Sequence, residues 1–334
     1  MGEAMALQKE QRVQCWICPK RCRIPPGHSG ECRIRMNVDG RLVAATYGKP
    51  CAVHVDPMEK KPLFHFFPGE PILSLATAGC NLHCKYCQNA DISQANPEDV
   101  TAYQLLPSAL PSLAAQNGCR HVAYTYTEPL VYYEYTRDCC MAVRASGRRN
   151  VLVTAGYICE EPLRALLPYV DAANVDIKAM SDPFYREVCA ATLEPVLLTV
   201  RVMVEMGVHV EITNLVVPTL NDSDEMFARL ADWVCAHAGP EVPLHFSRFF
   251  PRFRMTHLPP TPVETLLRAR SVARRAGLKH VYVGNAEVED GDATFCAGCG
   301  GRLVVRERYV VRENRLAATG ACPACGHRPY GVWR

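Results

Sequence analysis

From residue 71 onward, short apolar runs rich in β-branched residues alternate with longer stretches of helical texture, and this alternation constrains the fold more than any other feature. The strand-like runs are "PILSLATAG", "HVAYTYTEP", "NVLVTAGY", "AANVDIKA", "VHVEITNLVVP", "PLHFSRFFP" and "KHVYVGNA". Between them lie "PSALPSLAAQNG", "EEPLRALLPYV", "VLLTVRVMVEMG", "DEMFARLADWVCAHAG" and "PVETLLRARSVARRAG". Several end in glycine just past the last apolar turn, a common helix stop. Strands alternating with helices form parallel sheets, and nearly all-apolar strand runs suit a sheet covered on both faces. Six or seven β/α units fall short of the eight of a closed barrel. The pattern predicts an α/β fold with an open, partial β/α barrel. A doubly wound sheet is the competitor, and periodicity does not separate the two.

In either fold, chemistry collects at the carboxyl ends of the strands. Polar residues fall there in series. Cys80 follows the first run, Glu128 the second, and Thr154 ends the third. Asp176 and Lys178 lie on the fourth, Thr213 and Asn214 on the fifth, Ser247 and Arg248 on the sixth, and Asn285 ends the last. A single polar strand end is usually a cap; a series of them predicts a shared site.

Eighteen cysteines would suggest a disulfide scaffold in a short secreted chain. Here "MGEAMALQKEQRVQ" has no apolar core of a secretory signal, and no run reaches the roughly 18 apolar residues of a membrane span. Metal ligation in a cytoplasmic protein is the expectation. With 49% apolar residues and a net charge of +3, the chain is an ordinary globular one without a strong nucleic-acid signal. Eleven cysteines form three sets; the other seven, Cys139 and Cys140 among them, read as small buried apolar residues.

Cys296, Cys299, Cys322 and Cys325 make two Cys-x2-Cys knuckles around a hairpin-like alternation, "RLVVRERYVVRENRLAATG". They predict a zinc-ribbon-like module with those four thiolates on zinc. Cys15, Cys18, Cys22 and Cys32 supply four thiolates within 18 residues, which fits zinc or an auxiliary [4Fe–4S] cluster. Three domains follow: residues 1–68, a cysteine-rich metal module with a linker; 69–290, the barrel; and 291–334, the ribbon-like module. In the linker, "HVDPMEKKPLFHFFPG", Glu59, Lys60, Lys61 and His65 interleave with Phe64, Phe66 and Phe67. The favoured reading is a strap whose aromatics pack while its charges stay in solvent. The sharper reading has the strap crossing the barrel mouth, with Lys60 or His65 touching substrate.

The middle set stops at three: Cys80, Cys84 and Cys87, with no fourth cysteine close by. Three thiolates on a [4Fe–4S] cluster leave one iron open, as a catalytic metal site requires. A zinc site completed by His83 or Cys51 is the plainer alternative.

With Tyr86 as the aromatic, this Cys-x3-Cys-x-aromatic-Cys loop resembles that of the radical S-adenosylmethionine (SAM) superfamily. The resemblance implies a partial barrel of the radical SAM type, a cluster on Cys80, Cys84 and Cys87, and SAM chelating the open iron. It also implies reductive cleavage of SAM to a 5′-deoxyadenosyl radical that abstracts hydrogen. "TYTEP" stands in the place of a Gly-Gly-Glu-Pro motif, which assigns Glu128 to the SAM amine and puts Tyr126 and Thr127 where glycines would be. "VDIKA" resembles a strand of glycyl-radical-enzyme activases, which turns Asp176 and Lys178 toward the SAM carboxylate or the substrate. Tyr86, Thr154 and Asn214 complete the implied cofactor contacts, Tyr86 by packing on adenine. The segments "CWICPKRCRIPPGHSGECRIR", "DPMEKKPLFHFFPG", "YTEPLVYYEY", "HFSRFFP" and "VYVGNA" are similar to one subgroup, the AmmeMemoRadiSam-type proteins, relatives of pyruvate-formate-lyase activase. That implies an electron donor of flavodoxin or ferredoxin type and association with Memo-like and AMMECR-like proteins. The substrate is either a partner protein, activated at a glycine, or a small molecule or peptide. The competing hypothesis is a non-catalytic, zinc- or iron-stapled module that binds protein or RNA.

Overall fold

The computed structural model describes residues 12–334. Most of the segment read as lacking a secretory core therefore lies outside the described residues. The N-terminal module is built from two short antiparallel pairs, β1 (Val13–Gln14) with β2 (Arg23–Ile24) and β3 (Arg35–Val38) with β4 (Arg41–Ala44). The main sheet then begins with β5 (Ala52–Pro57), antiparallel to β6 (Pro71–Ala76). Parallel strands follow in sequence order: β7 (His121–Tyr124), β8 (Arg149–Thr154), β9 (Ala172–Asp176), β10 (His209–Val216), β11 (Leu244–Arg248) and β12 (Val281–Gly284). All seven predicted strand runs are strands of this sheet. A doubly wound sheet reverses its strand order partway; this order runs from β5 to β12 without reversal. The protein is thus an α/β fold with an open, parallel sheet.

The alternation of side chains along each strand shows why. Leu73, Val122, Leu152 and Ala173 pack into a large core with the helices Tyr133–Ala145, Glu194–Glu205, Asp224–His237 and Val263–Arg275. Their strand neighbours Ile72, Ala123, Val151 and Ala172 point the other way and pack against Met58, Leu63, Phe66 and Phe67. Helices cover one face of the sheet and the 58–67 strap covers part of the other. The segment read as a plain linker thus contributes a strand and an inner plug. As a strand, β5 also occupies the hydrogen-bonding edge that β6 would otherwise leave open.

Being inside, the strap does not keep its charges wet. Glu59, Lys61 and His65 are buried, which overturns the favoured reading of that segment. Each has a partner: Glu59 faces Arg306 at 3.4 Å, Lys61 lies 2.5 Å from Asp56, and His65 bonds Tyr282 Oη and the Tyr330 carbonyl, each at 2.6 Å. After the sheet, β13 (Thr294–Phe295), β14 (Arg302–Glu307) and β15 (Val310–Asn314) form a small antiparallel sheet. The chain then returns to the strap, where the Phe67 amide donates to the Val332 carbonyl. Among the described residues, no helix is long and apolar enough to cross a membrane.

Candidate functional site

The carboxyl ends of the strands open onto a cavity of about 460 Å³. Cys80, Cys84 and Cys87 line it from the loop after β6, Glu128 from the loop after β7, Thr154 from the end of β8, and Asp176 and Lys178 from the end of β9. Seven of the nine residues singled out from the sequence for this centre therefore share one wall. Tyr86 and Asn214 do not line it. Tyr86 is buried, with its hydroxyl 3.6 Å from the Cys189 sulfur. The Asn214 amide donates to the Ile177 and Lys178 carbonyls at 2.8 and 3.1 Å, which braces the strand end carrying Asp176 and Lys178.

Glu128 is the most heavily constrained side chain of the site. Its carboxylate accepts from the Thr154 hydroxyl at 2.7 Å, the Ala155 amide at 2.8 Å and the Leu130 amide at 3.1 Å. Burial nevertheless lifts its carboxyl to about 7, against those hydrogen bonds. A cation arriving in the cavity would restore the anion. Lys178 sits 2.5 Å from Asp176; burial opposes its charge, but Asp176 holds the ammonium above its ordinary pKa. Beside them Tyr126 takes φ +65°, a left-handed backbone that glycine adopts freely and tyrosine does not. Its carbonyl accepts from Asn89 at 2.7 Å and its hydroxyl donates to Asp56. The glycine-like conformation is thus kept without the glycine.

Four further contributors come from two distant segments. Glu59, Lys60 and Lys61 of the strap line the cavity, as does Tyr309 between β14 and β15. His65 does not; it lies deeper, among Tyr282, His280 and Trp333. Tyr309 had no signal in the sequence beyond its place at a hairpin tip. Cys189, beside Cys84 and Tyr86, looked like any scattered buried cysteine.

The cysteine sets differ in spacing. A tetrahedral zinc with bonds of about 2.3 Å holds its sulfurs roughly 3.8 Å apart. Cys296, Cys299, Cys322 and Cys325 match: their sulfurs all lie within 4.8 Å of one another, with Cys296–Cys325 at 3.5 Å and Cys299–Cys322 at 3.7 Å. Matching knuckle bonds build the two halves: Gly300 to Cys296 and Gly326 to Cys322, both at 2.9 Å. Among the described residues no other group of three or more ligand atoms is that compact. Cys80, Cys84 and Cys87 do not form such a compact group, although all three line the cavity. They suit a cluster, where each thiolate takes its own iron.

Residues 74–234 match the Radical SAM superfamily. Over 333 residues the chain is 45% identical to an uncharacterized protein of Methanocaldococcus jannaschii, covering 98% of each. It is 29% identical over 158 residues to the pyruvate formate-lyase-activating enzyme of Clostridium pasteurianum, spanning 46% of this chain and 65% of that enzyme. With the pyruvate formate-lyase 1-activating enzyme of Escherichia coli K12 the identity is 22% over 218 residues, or 61% of this chain and 89% of that one. Among solved structures, Streptococcus suis SuiB bound to S-adenosylmethionine superposes with a TM-score of 0.52 at 13% identity, over 69% of this chain and 53% of that chain. At that identity the likeness concerns the fold alone.

Proposed function

The chain belongs to the radical SAM superfamily, and from that premise we propose that it is an activase-like enzyme that cleaves SAM reductively and abstracts a hydrogen atom from its substrate. One observation carries this reading: Cys80, Cys84, Cys87, Glu128, Asp176 and Lys178 line a single cavity at the carboxyl ends of the strands. When bound there, a [4Fe–4S] cluster and SAM supply one-electron cleavage to a 5′-deoxyadenosyl radical. The residues supply the rest. Cys80, Cys84 and Cys87 would hold the cluster, and with no fourth cysteine among them they would leave room on it for SAM. Glu128 would accept from the SAM amine, whose positive charge would offset the burial that lifts its carboxyl. Lys178, braced by Asp176, offers a cation to the SAM carboxylate or to the substrate. The buried walls exclude water from a reactive centre.

Lys60, Lys61, Ser247, Asn285 and Tyr309 line the cavity beyond the cysteine loop and form the substrate side on this reading. A partner protein, activated as the activases' own targets are, is the substrate class favoured by the Asp176-x-Lys178 likeness and by the activase relatives. The electron donor belongs to the flavodoxin or ferredoxin type, and association with Memo-like and AMMECR-like proteins rests on the sequence resemblance. Zinc on Cys296, Cys299, Cys322 and Cys325 is supported by their close spacing. A cytoplasmic site of action is supported by eighteen cysteines of which none is in a disulfide, as a reducing compartment would keep them.

The test is Cys84→Ala. It should abolish 5′-deoxyadenosine formation from SAM while the N-terminal and C-terminal modules keep their folds. Cleavage that survives the substitution would refute the assignment.

A further inference from the structure

The N-terminal cysteines lie directly against the loop that carries Cys80. Gly79, at φ +89°, packs so tightly there that a Cβ would fall 2.5 Å from the Cys32 carbonyl oxygen and 2.5 Å from the Ile34 side chain. Asn81, on the other side of Cys80, is buried; its side chain interacts with the Cys18 sulfur and donates to the Tyr157 carbonyl at 2.8 Å. The Asn81 Oδ1 atom has no partner. From the far side, the Cys159 amide donates to the Ile17 carbonyl and Lys20 Nζ to the Ala190 carbonyl. The module is clamped onto the cysteine loop of the barrel, with Gly79 against Cys32 and Asn81 against Cys18 on either side of Cys80.

Spacing separates the N-terminal set from the C-terminal one. No three sulfurs among Cys15, Cys18, Cys22 and Cys32 fall within 4.8 Å of one another, whereas all four C-terminal sulfurs do. In this the N-terminal set resembles Cys80, Cys84 and Cys87. The environments differ as well. Cys15, Cys18 and Cys32 are buried, while Cys299 and Cys325 are exposed. The Lys20 amide is directed at the Cys18 sulfur, and the Ile34 and Arg35 amides at Cys32. Backbone donors to sulfur and exclusion of solvent are the levers by which a protein sets the potential of an iron–sulfur centre.

We infer that Cys15, Cys18, Cys22 and Cys32 hold a second [4Fe–4S] cluster, not zinc, and that electrons reach the Cys80, Cys84 and Cys87 site through it. This rests on the proposed function of that site. The balance is one electron. A low-potential one-electron carrier takes the N-terminal centre from its 2+ to its 1+ state, and passing the electron inward returns it to 2+, with no bond made or broken. Between residues 12 and 35 the chain has six basic side chains and one acidic one. Arg21 and Arg23 are exposed, and the Arg21 guanidinium lies 4.4 Å from the ring of the protruding Trp16, a face suited to an acidic carrier.

The experiment counts iron, sulfide and zinc in full-length protein reconstituted anaerobically, with electron paramagnetic resonance after dithionite reduction. Wild type should hold about eight irons. The triple variant Cys80→Ala, Cys84→Ala, Cys87→Ala should keep about four irons, four sulfides and a reduced-cluster signal. Wild type with about four irons, and a triple variant with none but with a second zinc, would overturn the inference while leaving the catalytic assignment intact. About four irons in both proteins would uphold the second site and sink the first. Cys22→Ser, at the half-buried ligand, gives an independent check. It should cut the iron to about half and slow reduction of the catalytic centre by a flavodoxin-type donor. Full iron with an unchanged reduction rate would count against the relay.

Discussion

Two buried glutamates, one at the mouth of the sheet and one beneath it, have opposite electrostatics. Glu128 and Glu211 are equally inaccessible, 2% and 0% exposed. Glu211 lies between His209 Nε2 at 3.1 Å and His245 Nε2 at 2.7 Å, and accepts from the Phe64 and His65 amides at 3.0 and 2.7 Å. Burial opposes its charge, but the two histidines hold its carboxyl well below the usual range. Glu128 also accepts three hydrogen bonds, yet burial lifts it to about 7, because among the described residues no cation forms an ion pair with it and the charge of Lys178 offsets burial only in part. Glu211 is complete within the fold. Glu128 is complete once a cation enters the cavity. That difference separates a structural carboxylate from a binding one, where burial and residue type do not.

The comparison can be broken first at its structural end. Glu211→Gln leaves two histidines and two strap amides short of a charged acceptor, at a cost of roughly 3 kcal/mol. Thermal melting should show a fall of roughly 5–10 °C, and an unchanged melting temperature would remove Glu211 from the frame. The pH dependence comes next, with opposite signs at the two ends. Glu128 has a raised pKa, so its stabilising contribution is full below 4.5 and is lost as pH rises through about 7, a change of roughly 3 kcal/mol in the ligand-free protein. His280, beside the strap, is lowered by burial to about 4, so its contribution is full above 6.5 and is lost as pH falls toward 4. The two slopes oppose each other between about 4.5 and 6.5, so relative to wild type Glu128→Gln should gain stability in melting curves as pH rises toward 7, whereas His280→Asn should gain it as pH falls toward 4. A smaller effect sharpens the functional end. Glu128→Gln should leave stability at pH 8 within about 0.5 kcal/mol of wild type or above it, yet weaken SAM binding by roughly tenfold. Calorimetry on reconstituted protein reads the second number, and unaltered affinity would return Glu128 to a purely structural role.

The mouth was largely legible in the sequence and the interior was not. Cys80, Glu128, Thr154 and Asp176 could be placed because a strand's carboxyl end is a local property, read from where an apolar run stops. The strap could not, because its partners are remote. Glu59 is buried since Arg306 meets it from β14, and the Arg306 guanidinium also stacks 4.3 Å from the Phe64 ring. Neither contact leaves a trace in "MEKKPLFHFF". The strand Ala52–Pro57 was hidden for a related reason: at the edge of the sheet, its side chains are largely half-buried or exposed and carry no strong apolar pattern. Tyr86 and Asn214 were singled out by motif position, and the fold sets both behind the wall they were expected to form. Tyr126 shows the converse. It stands where the motif would have a glycine, and its backbone keeps the left-handed conformation that glycine adopts freely, with bonds to Asn89 and Asp56.

The central claim is that the mouth holds a SAM-cleaving cluster. The direct measurement is 5′-deoxyadenosine formation by anaerobically reconstituted protein given dithionite and SAM, with iron and zinc counted in the same sample. The account predicts product that depends on iron and disappears in Cys84→Ala. Zinc in place of iron on Cys80, Cys84 and Cys87, with no product, would contradict it and favour a metal-stapled binding module.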